Sequence, residues 1–349
     1  MKLWKIKREL HRSWLHVCMF FEAMLGQHQR SRYDQRKDDL ISVSQGAQMM
    51  QARVAVFLLY QPRGILSSTL QTCRHLTRNG FAVVVVSNAP LSGSDRTCLL
   101  AETYQVIERP NFGYDFGGYR DGILHVLHIN LYPKTLLVLN DSVWFPLRTD
   151  CDFLDRVKSQ TADVYGPVYS KGHLQSYMYA FQGDLVQSAF FRDLWQNLYM
   201  SNNKAAVVRR CEMRISADIK AAGFTMSWFL SSEDVLKALR RLPDDELAEV
   251  IRHDQQSDNS LSRAFVGFQH DIPGWAEQAL ELYSSTLDQR YIMKDHPLIL
   301  TRDLHLPLLK KDRAPQYALQ RRALISSRLL LAALDETVAE EIIHWDAGK

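Results

Sequence analysis

Hydrophobic and polar positions change rhythm several times along this chain. Val54 to Leu59, Phe81 to Val86 and Leu136 to Leu139 are continuous apolar runs of four to six residues. Runs of that length predict strands buried on both faces, as in a parallel sheet. Between the first two, residues 67–79 carry apolar positions at helical spacing and end at Gly80, which predicts a helix with a glycine stop. Strand, helix and strand within about 30 residues make one βαβ unit. A short strand at 104–108, a helix at 119–129 and strands at 163–168 and 177–182 extend the α/β pattern, with a polar connection at 169–176. Beyond Asp184 the period is helical, at about 185–200, 203–222, 231–241, 244–252, 273–288 and 314–345. Residues 1–28 read as a basic amphipathic helix with Leu10, Trp14, Val17, Phe21, Met24 and Leu25 on one stripe, and 29–50 as a polar linker. The expected organisation is therefore an N-terminal helix and linker (1–50), an α/β domain (51–230) and a helical C-terminal region (231–349).

Composition narrows the classes. The 349 residues are 46% hydrophobic, enough for a sizeable core, and the net charge of +3 excludes a polyelectrolyte binder of nucleic acid. Cys18, Cys73, Cys98, Cys151 and Cys211 are scattered, without a CxxC pair. That pattern suits neither a disulfide framework nor a zinc site and is compatible with a reducing compartment. No apolar run approaches a membrane span of about 20 residues, and the N-terminus carries no clean signal-peptide pattern. The expected location is the cytoplasm. The basic N-terminal helix, with Trp4 and Trp14, suits either peripheral contact with an anionic membrane or packing on the α/β domain.

Two segments carry candidate chemistry. Asn140-Asp141-Ser142 follows the strand Leu136–Leu139, and an open α/β sheet presents ligand-binding groups in the crevice beyond its strand ends. Some 25 residues earlier lies Asn111-Phe112-Gly113-Tyr114-Asp115-Phe116-Gly117-Gly118-Tyr119-Arg120-Asp121-Gly122. A glycine-rich turn can let backbone amides approach a phosphate or sugar, but no Gly-Lys-Ser/Thr follows, so this is not a P-loop. Together the two suggest a nucleotide-sugar site. Asn111, Gly113, Asp115, Gly117, Gly118, Asp121, Asn140, Asp141 and Ser142 are its candidate donor-binding residues. Asp141 is also the candidate ligand for magnesium or manganese, which favour oxygen donors. Taken singly, Asn-Asp-Ser is also a good turn sequence.

The order of motifs resembles the rhamnan synthesis protein F family of bacterial glycosyltransferases. The series is Asn111-x-Gly113-x-Asp115-x-Gly117-x-Tyr119, then Leu137 to Ser142 with Pro146 after it, then Gly166-Pro167, His173-Leu174-Gln175-Ser176-Tyr177 with Phe181, and Cys211-Glu212-Met213-Arg214-Ile215-Ser216 with Gly223-Phe224. It spans about residues 53–230. The resemblance implies a GT-A-like (Rossmann-like) mixed sheet core flanked by helices. It implies sugar transfer onto a cell-surface polysaccharide, such as rhamnan or an O-antigen, from a nucleotide-activated deoxyhexose, with dTDP-rhamnose the first guess. The acceptor would be a lipid-linked glycan, reached at the inner face of the plasma membrane. Such folds commonly hold their metal with Asp-x-Asp; here one carboxylate remains, which puts metal dependence in question. Glu212 is the candidate base of an inverting transfer and Asp184 the fallback. His173, Gln175 and Ser176 are the candidate acceptor contacts. Two alternatives stay open: a nucleotidyl or phosphosugar transferase, and a non-catalytic assembly subunit with a degenerate transferase fold.

Overall fold

The computed structural model describes residue 22, residues 24–256 and, with gaps, residues 265–346. Residues 1–21, most of the expected N-terminal helix, lie outside that set.

A mixed sheet flanked by helices organises the chain. Its strands in chain order are β1 (Ser42–Gln45), β2 (Arg53–Leu59), β3 (Phe81–Ser87), β4 (Gln105–Glu108), β5 (Thr135–Asn140), β7 (Val164–Ser170), β8 (His173–Leu174), β9 (Met178–Gln182) and β10 (Met226–Ser231). Across the sheet the order is β1-β4-β3-β2-β5-β9-β7-β10, with β8 paired to β7. β4, β3, β2 and β5 run parallel, β9 is antiparallel to both β5 and β7, and β10 is parallel to β7. A separate two-stranded ladder joins β6 (Val143–Trp144) to β11 (Leu309–Lys310).

The apolar runs are continuous because both faces of the central strands are covered. Val54, Val56 and Leu58 pack with the helix Tyr114–His128 and the helices at Ala189–Gln196 and Met213–Ala221. Ala55, Phe57 and Leu59 pack on the other side with Ser67–Arg78, Phe153–Lys158 and the C-terminal helices. The helix Tyr114–His128 lies unusually close to its strands. A Cβ on Gly122 would stand 2.5 Å from Val56 Cγ1, and one on Gly118 would collide with Leu58.

Three expectations are corrected. Residues 29–50 are not a free linker: 24–35 are helical, Lys37–Leu40 form another turn, and β1 pairs antiparallel with β4 at the sheet edge. Its polar residues misled because their partners lie far along the chain. Tyr33 donates to Asp121 at 2.6 Å, and Arg120 grips Asp34 at 2.7 and 2.8 Å. The strand β10 falls where only helices were expected, since Met226–Ser231 is a half-buried outer strand with no continuous apolar run. The helix expected from 119 begins at Tyr114, so the glycine-rich segment is mostly helix.

Candidate functional site

The chain leaves β2 outward through β3 to β4, then returns to lay β5 on the other side of β2. That reversal makes a topological switch point, and the crevice beyond the ends of β2 and β5 is where such a sheet binds ligands. Asp141 occupies it. Its Oδ2 accepts from the Tyr60 amide at 2.9 Å, and its own amide donates to the Leu58 carbonyl at 3.0 Å, so the two strand ends are stitched together. Asn140 is buried and shapes the turn: its Oδ1 accepts from the Ser142 amide at 3.1 Å and from Ser142 Oγ at 2.6 Å. Its Nδ2 donates to Asp115 Oδ2 at 3.1 Å, so the structure joins the two sequence motifs directly.

Asp115 reaches this point through a tight entry into its helix. Gly113 (φ +79°) and Tyr114 (φ +52°) both adopt left-handed conformations, a turn for which glycine carries no Cβ penalty. Arg109, buried and absent from the sequence reading, pins the loop from inside. It donates to Asn88 Oδ1, to the Phe112 carbonyl and to Asp121 Oδ2, each at 2.6 Å. Asn88 in turn donates to Asn111 Oδ1 at 3.2 Å, which holds the exposed Asn111 at the end of β3.

The C-terminal region completes the recess. β11 aligns with β6, and the Lys311 amide donates to the Ser142 carbonyl at 2.9 Å. Lys310 Nζ thereby donates to Ser142 Oγ at 3.1 Å and lies 4.6 Å from the centre of the Tyr177 ring. Lys311 is buried on Ser68 Oγ (2.9 Å), with Glu341 at 3.7 Å and the Trp144 ring beneath it. The sheet ladder carries both lysines inward.

Glu212 lies within electrostatic reach of Asp115 and Lys310. It ends a π-helical turn, Val208–Glu212, inside a longer helical stretch, so it is not a first-turn dipole partner. Such turns recur at functional sites. Electrostatics tie the groups together. Asp115 keeps an exposed outer side; its carboxyl is nonetheless pushed up to about 6, chiefly by the protein packed around it and then by Asp141, with Glu212 adding to the effect and Lys310 opposing it. Burial also raises Asp141, against the Tyr60 amide and Lys311. Burial lowers the Lys310 ammonium, while Asp115 and Glu212 hold it up.

Several expected site residues stand elsewhere. Asp121 is on a different face of its helix from Asp115, fully buried against Arg109 and Tyr33, with Lys37 at 3.5 Å. Six helical positions leave the two side chains about 120° apart around the helix axis. Gly117 and Gly118 do not offer their backbone to a phosphate. A Cβ on Gly117 would strike the Phe112 carbonyl and one on Gly118 would strike Leu58, so both exist for close packing. Asp184 follows β9, whose Gln182 pairs with Thr135 at the start of β5, so it lies at the opposite edge of the sheet from Asp141. With five residue steps between, that is about 17 Å, too far for a shared acceptor. His173 and Gln175 are buried: His173 Nδ1 meets the Lys171 carbonyl at 3.2 Å, and Gln175 Nε2 donates to Ser170 O. Only the half-buried Ser176 of that trio keeps some surface, and its carbonyl accepts from Tyr119.

Among the described residues no three His, Cys, Asp or Glu side chains gather as a metal-binding group. Asp115 and Asp141 nonetheless suit magnesium or manganese in the mode that uses one or two carboxylates and completes its shell with water and substrate phosphate.

Comparison with known proteins agrees with the motif order. The model of the family "Rhamnan synthesis protein F" matches residues 83–253. An uncharacterised protein of Sinorhizobium fredii, y4gN, is 34% identical over 352 residues, spanning 98% of this chain and 92% of its own. Among solved structures, the mannosyltransferase of Pyrobaculum calidifontis, in complex with GDP-Man and Mn2+, superposes with a TM-score of 0.36 at 13% identity, covering 95% of this chain and 93% of that one. The galactosyltransferase LgtC, bound to donor and acceptor sugar analogues, gives 0.29 at 11% identity, over 66% of this chain and 95% of that one. Those superpositions are loose. The motif order and the full-length relative together place the chain in the rhamnan synthesis protein F family.

Proposed function

We propose that this chain is a glycosyltransferase with a GT-A-like core, moving rhamnose or another deoxyhexose from a nucleoside diphosphate to a lipid-linked polysaccharide intermediate. dTDP-rhamnose is the first donor to test. The observation that carries the proposal is the recess at the switch point. There Asp141 is tied to the end of β2, Asn140 to Asp115, and Lys310 to Ser142, with Glu212 within electrostatic reach.

Each group has a role suited to its surroundings. Asn111 and Ser142 hold donor hydroxyls and Asn140 fixes the turn that presents Ser142 and Asp115, while Lys310 places a positive charge where the diphosphate gathers negative charge as it leaves. A magnesium or manganese ion held by Asp115 and Asp141 would add charge neutralisation at the diphosphate. Glu212 accepts the acceptor hydroxyl proton as that oxygen attacks the anomeric carbon from the face opposite the leaving group, which inverts the configuration. No helix among the described residues is long and apolar enough to cross a membrane. Contact with the lipid-linked acceptor at the inner face of the plasma membrane is assigned to the N-terminal segment for its basic residues and Trp4 and Trp14.

Calorimetric binding of dTDP, UDP and GDP, with and without magnesium or manganese, tests the reading on wild type and Asp141→Ala. Selective binding that the variant loses supports it, and failure of a folded wild type to bind any of the three overturns it. Product analysis then separates sugar transfer, which releases a nucleoside diphosphate, from nucleotidyl transfer, which releases a monophosphate or pyrophosphate.

A further inference from the structure

A second concavity opens on the same sheet edge as the recess. β7 and β10 are parallel, with Tyr169 opposite Ser231 near their ends. Beyond them lies a groove of about 540 Å³ whose lining includes Tyr169, Lys171, Trp228, Glu233 and Ser284. That volume is within the usual range for ligand sites. β5, β9 and β7 are neighbours, so the groove begins about 10 Å from the end of β5, two strand spacings away.

The lining is mixed in a particular way. The half-buried rings of Tyr169 and Trp228 stack at 4.3 Å and 18°. Lys171 (φ +54°) and Gly172 (φ +80°) form the two-residue turn between β7 and β8, a hairpin geometry that asparagine or glycine adopts more easily than lysine. Lysine persists there with its Nζ 4.4 Å from the centre of the Tyr291 ring. Tyr291 also meets His173 edge-on, at 6.3 Å. Burial, and then the Glu212 carboxylate, raise the Tyr291 hydroxyl. Glu233, exposed at the start of the helix Ser232–Leu239, lines the same groove as Lys171 and pairs through one carboxylate oxygen with Lys237 at 2.7 Å, which leaves the other oxygen as an acceptor.

We infer that this groove is the acceptor subsite, binding the sugar residues that precede the one being extended. The inference rests on the glycosyltransferase reading. A pyranose offers an apolar C–H face and a rim of hydroxyls that both donate and accept. The groove answers with aromatic surface, one cationic donor and one anionic acceptor. The candidate acceptor contact thus moves from the buried His173 and Gln175 to Lys171 at the turn of the same hairpin, with Trp228 on β10.

The test uses the full chain and oligosaccharides of rhamnose, mannose and glucose, one to four units long, with binding read by calorimetry and saturation-transfer NMR. The expected result is at least a tenfold gain in affinity between one and three units in one series. Lys171→Gly, which the turn geometry accepts, and Trp228→Ala should each return the trisaccharide to the affinity of the monosaccharide. Nucleoside diphosphate binding by Lys171→Gly should stay unchanged. Absence of length dependence in every series, or a Lys171→Gly protein that binds the trisaccharide like wild type, overturns the assignment. A wild type that binds oligosaccharide in the groove but no nucleotide would overturn the transferase reading while leaving the groove as a glycan site.

Discussion

Asp121 and Asp141 both lie in segments expected to bind the donor, and the structure gives them opposite fates. Asp121→Ala removes one half of a fully buried ion pair whose Arg109 Nε–Oδ2 distance is 2.6 Å, and it strands the Tyr33 hydroxyl as well. Breaking a buried pair from one side costs about 3–5 kcal/mol, because the remaining charge keeps its desolvation cost and loses its partner. With a urea dependence near the upper end of about 1–3 kcal/mol per molar, the unfolding midpoint should fall by about 1–2 M. Asp121→Asn keeps the shape but not the charge and should fall between the variant and wild type. Nucleotide affinity of the folded Asp121→Ala protein, measured below the transition, should stay near that of wild type. Asp141→Ala should behave the other way, with its midpoint nearly kept and nucleotide binding gone. An Asp121→Ala protein that unfolds like wild type yet no longer binds nucleotide would refute the assignment and return Asp121 to the ligand.

Other outcomes follow from the same geometry. Gly117→Ala drives a Cβ into the Phe112 carbonyl and should cost at least about 1–3 kcal/mol, checked by thermal unfolding, whereas alanine at the open Gly64, were it not for its φ of +108°, would meet no atom. Asp115 carries a raised native pKa, so the native state holds a proton between about 4 and about 6 that the unfolded chain has released; its contribution to stability is full at low pH and is lost as pH rises through about 6. Asp115→Asn should therefore flatten the pH dependence of the unfolding midpoint over that window and abolish metal-enhanced nucleotide binding above it. Lys310→Ala should lower turnover by about 10²–10³-fold if its charge meets the leaving diphosphate. Glu212→Gln should lower turnover by about 10²–10⁴-fold with donor affinity retained, and a variant as active as wild type would dismiss it as the base.

Much of the core was legible because burial on both faces leaves an unmistakable trace. The runs at β2, β3 and β5 are apolar throughout, and a glycine at position 80 ends the intervening helix. Asn140-Asp141-Ser142 was readable for a related reason: a carboxylate after a buried strand has few places to go except the crevice. The glycine-rich segment was half readable. Its spacing marked a constrained place, but not whether the glycines serve a ligand or a neighbour. Gly118 and Gly122, four apart, face β2 and let the helix close on it. The same helix then divides Asp115 from Asp121, a difference of phase that emerges only once the helix start is known to be Tyr114.

The amino-acid sequence by itself determined the parallel heart of the sheet, the strand-end carboxylate and the family, because those depend on local pattern and on the order of motifs. Tertiary structure decided what the charged residues do. Arg109, Asp121 and Tyr33 look like surface residues until the fold brings positions 33, 109 and 121 together in one dry cluster. Lys310 and Lys311 look like a basic patch until β11 aligns with β6, some 165 residues away, and brings Lys310 near Asp115 and Lys311 near Glu341 and Asp141. The physical reason is common to both. Apolar burial is written residue by residue in hydrophobicity, whereas the role of a charge depends on which other charge stands within a few ångströms, and only long-range packing sets that distance.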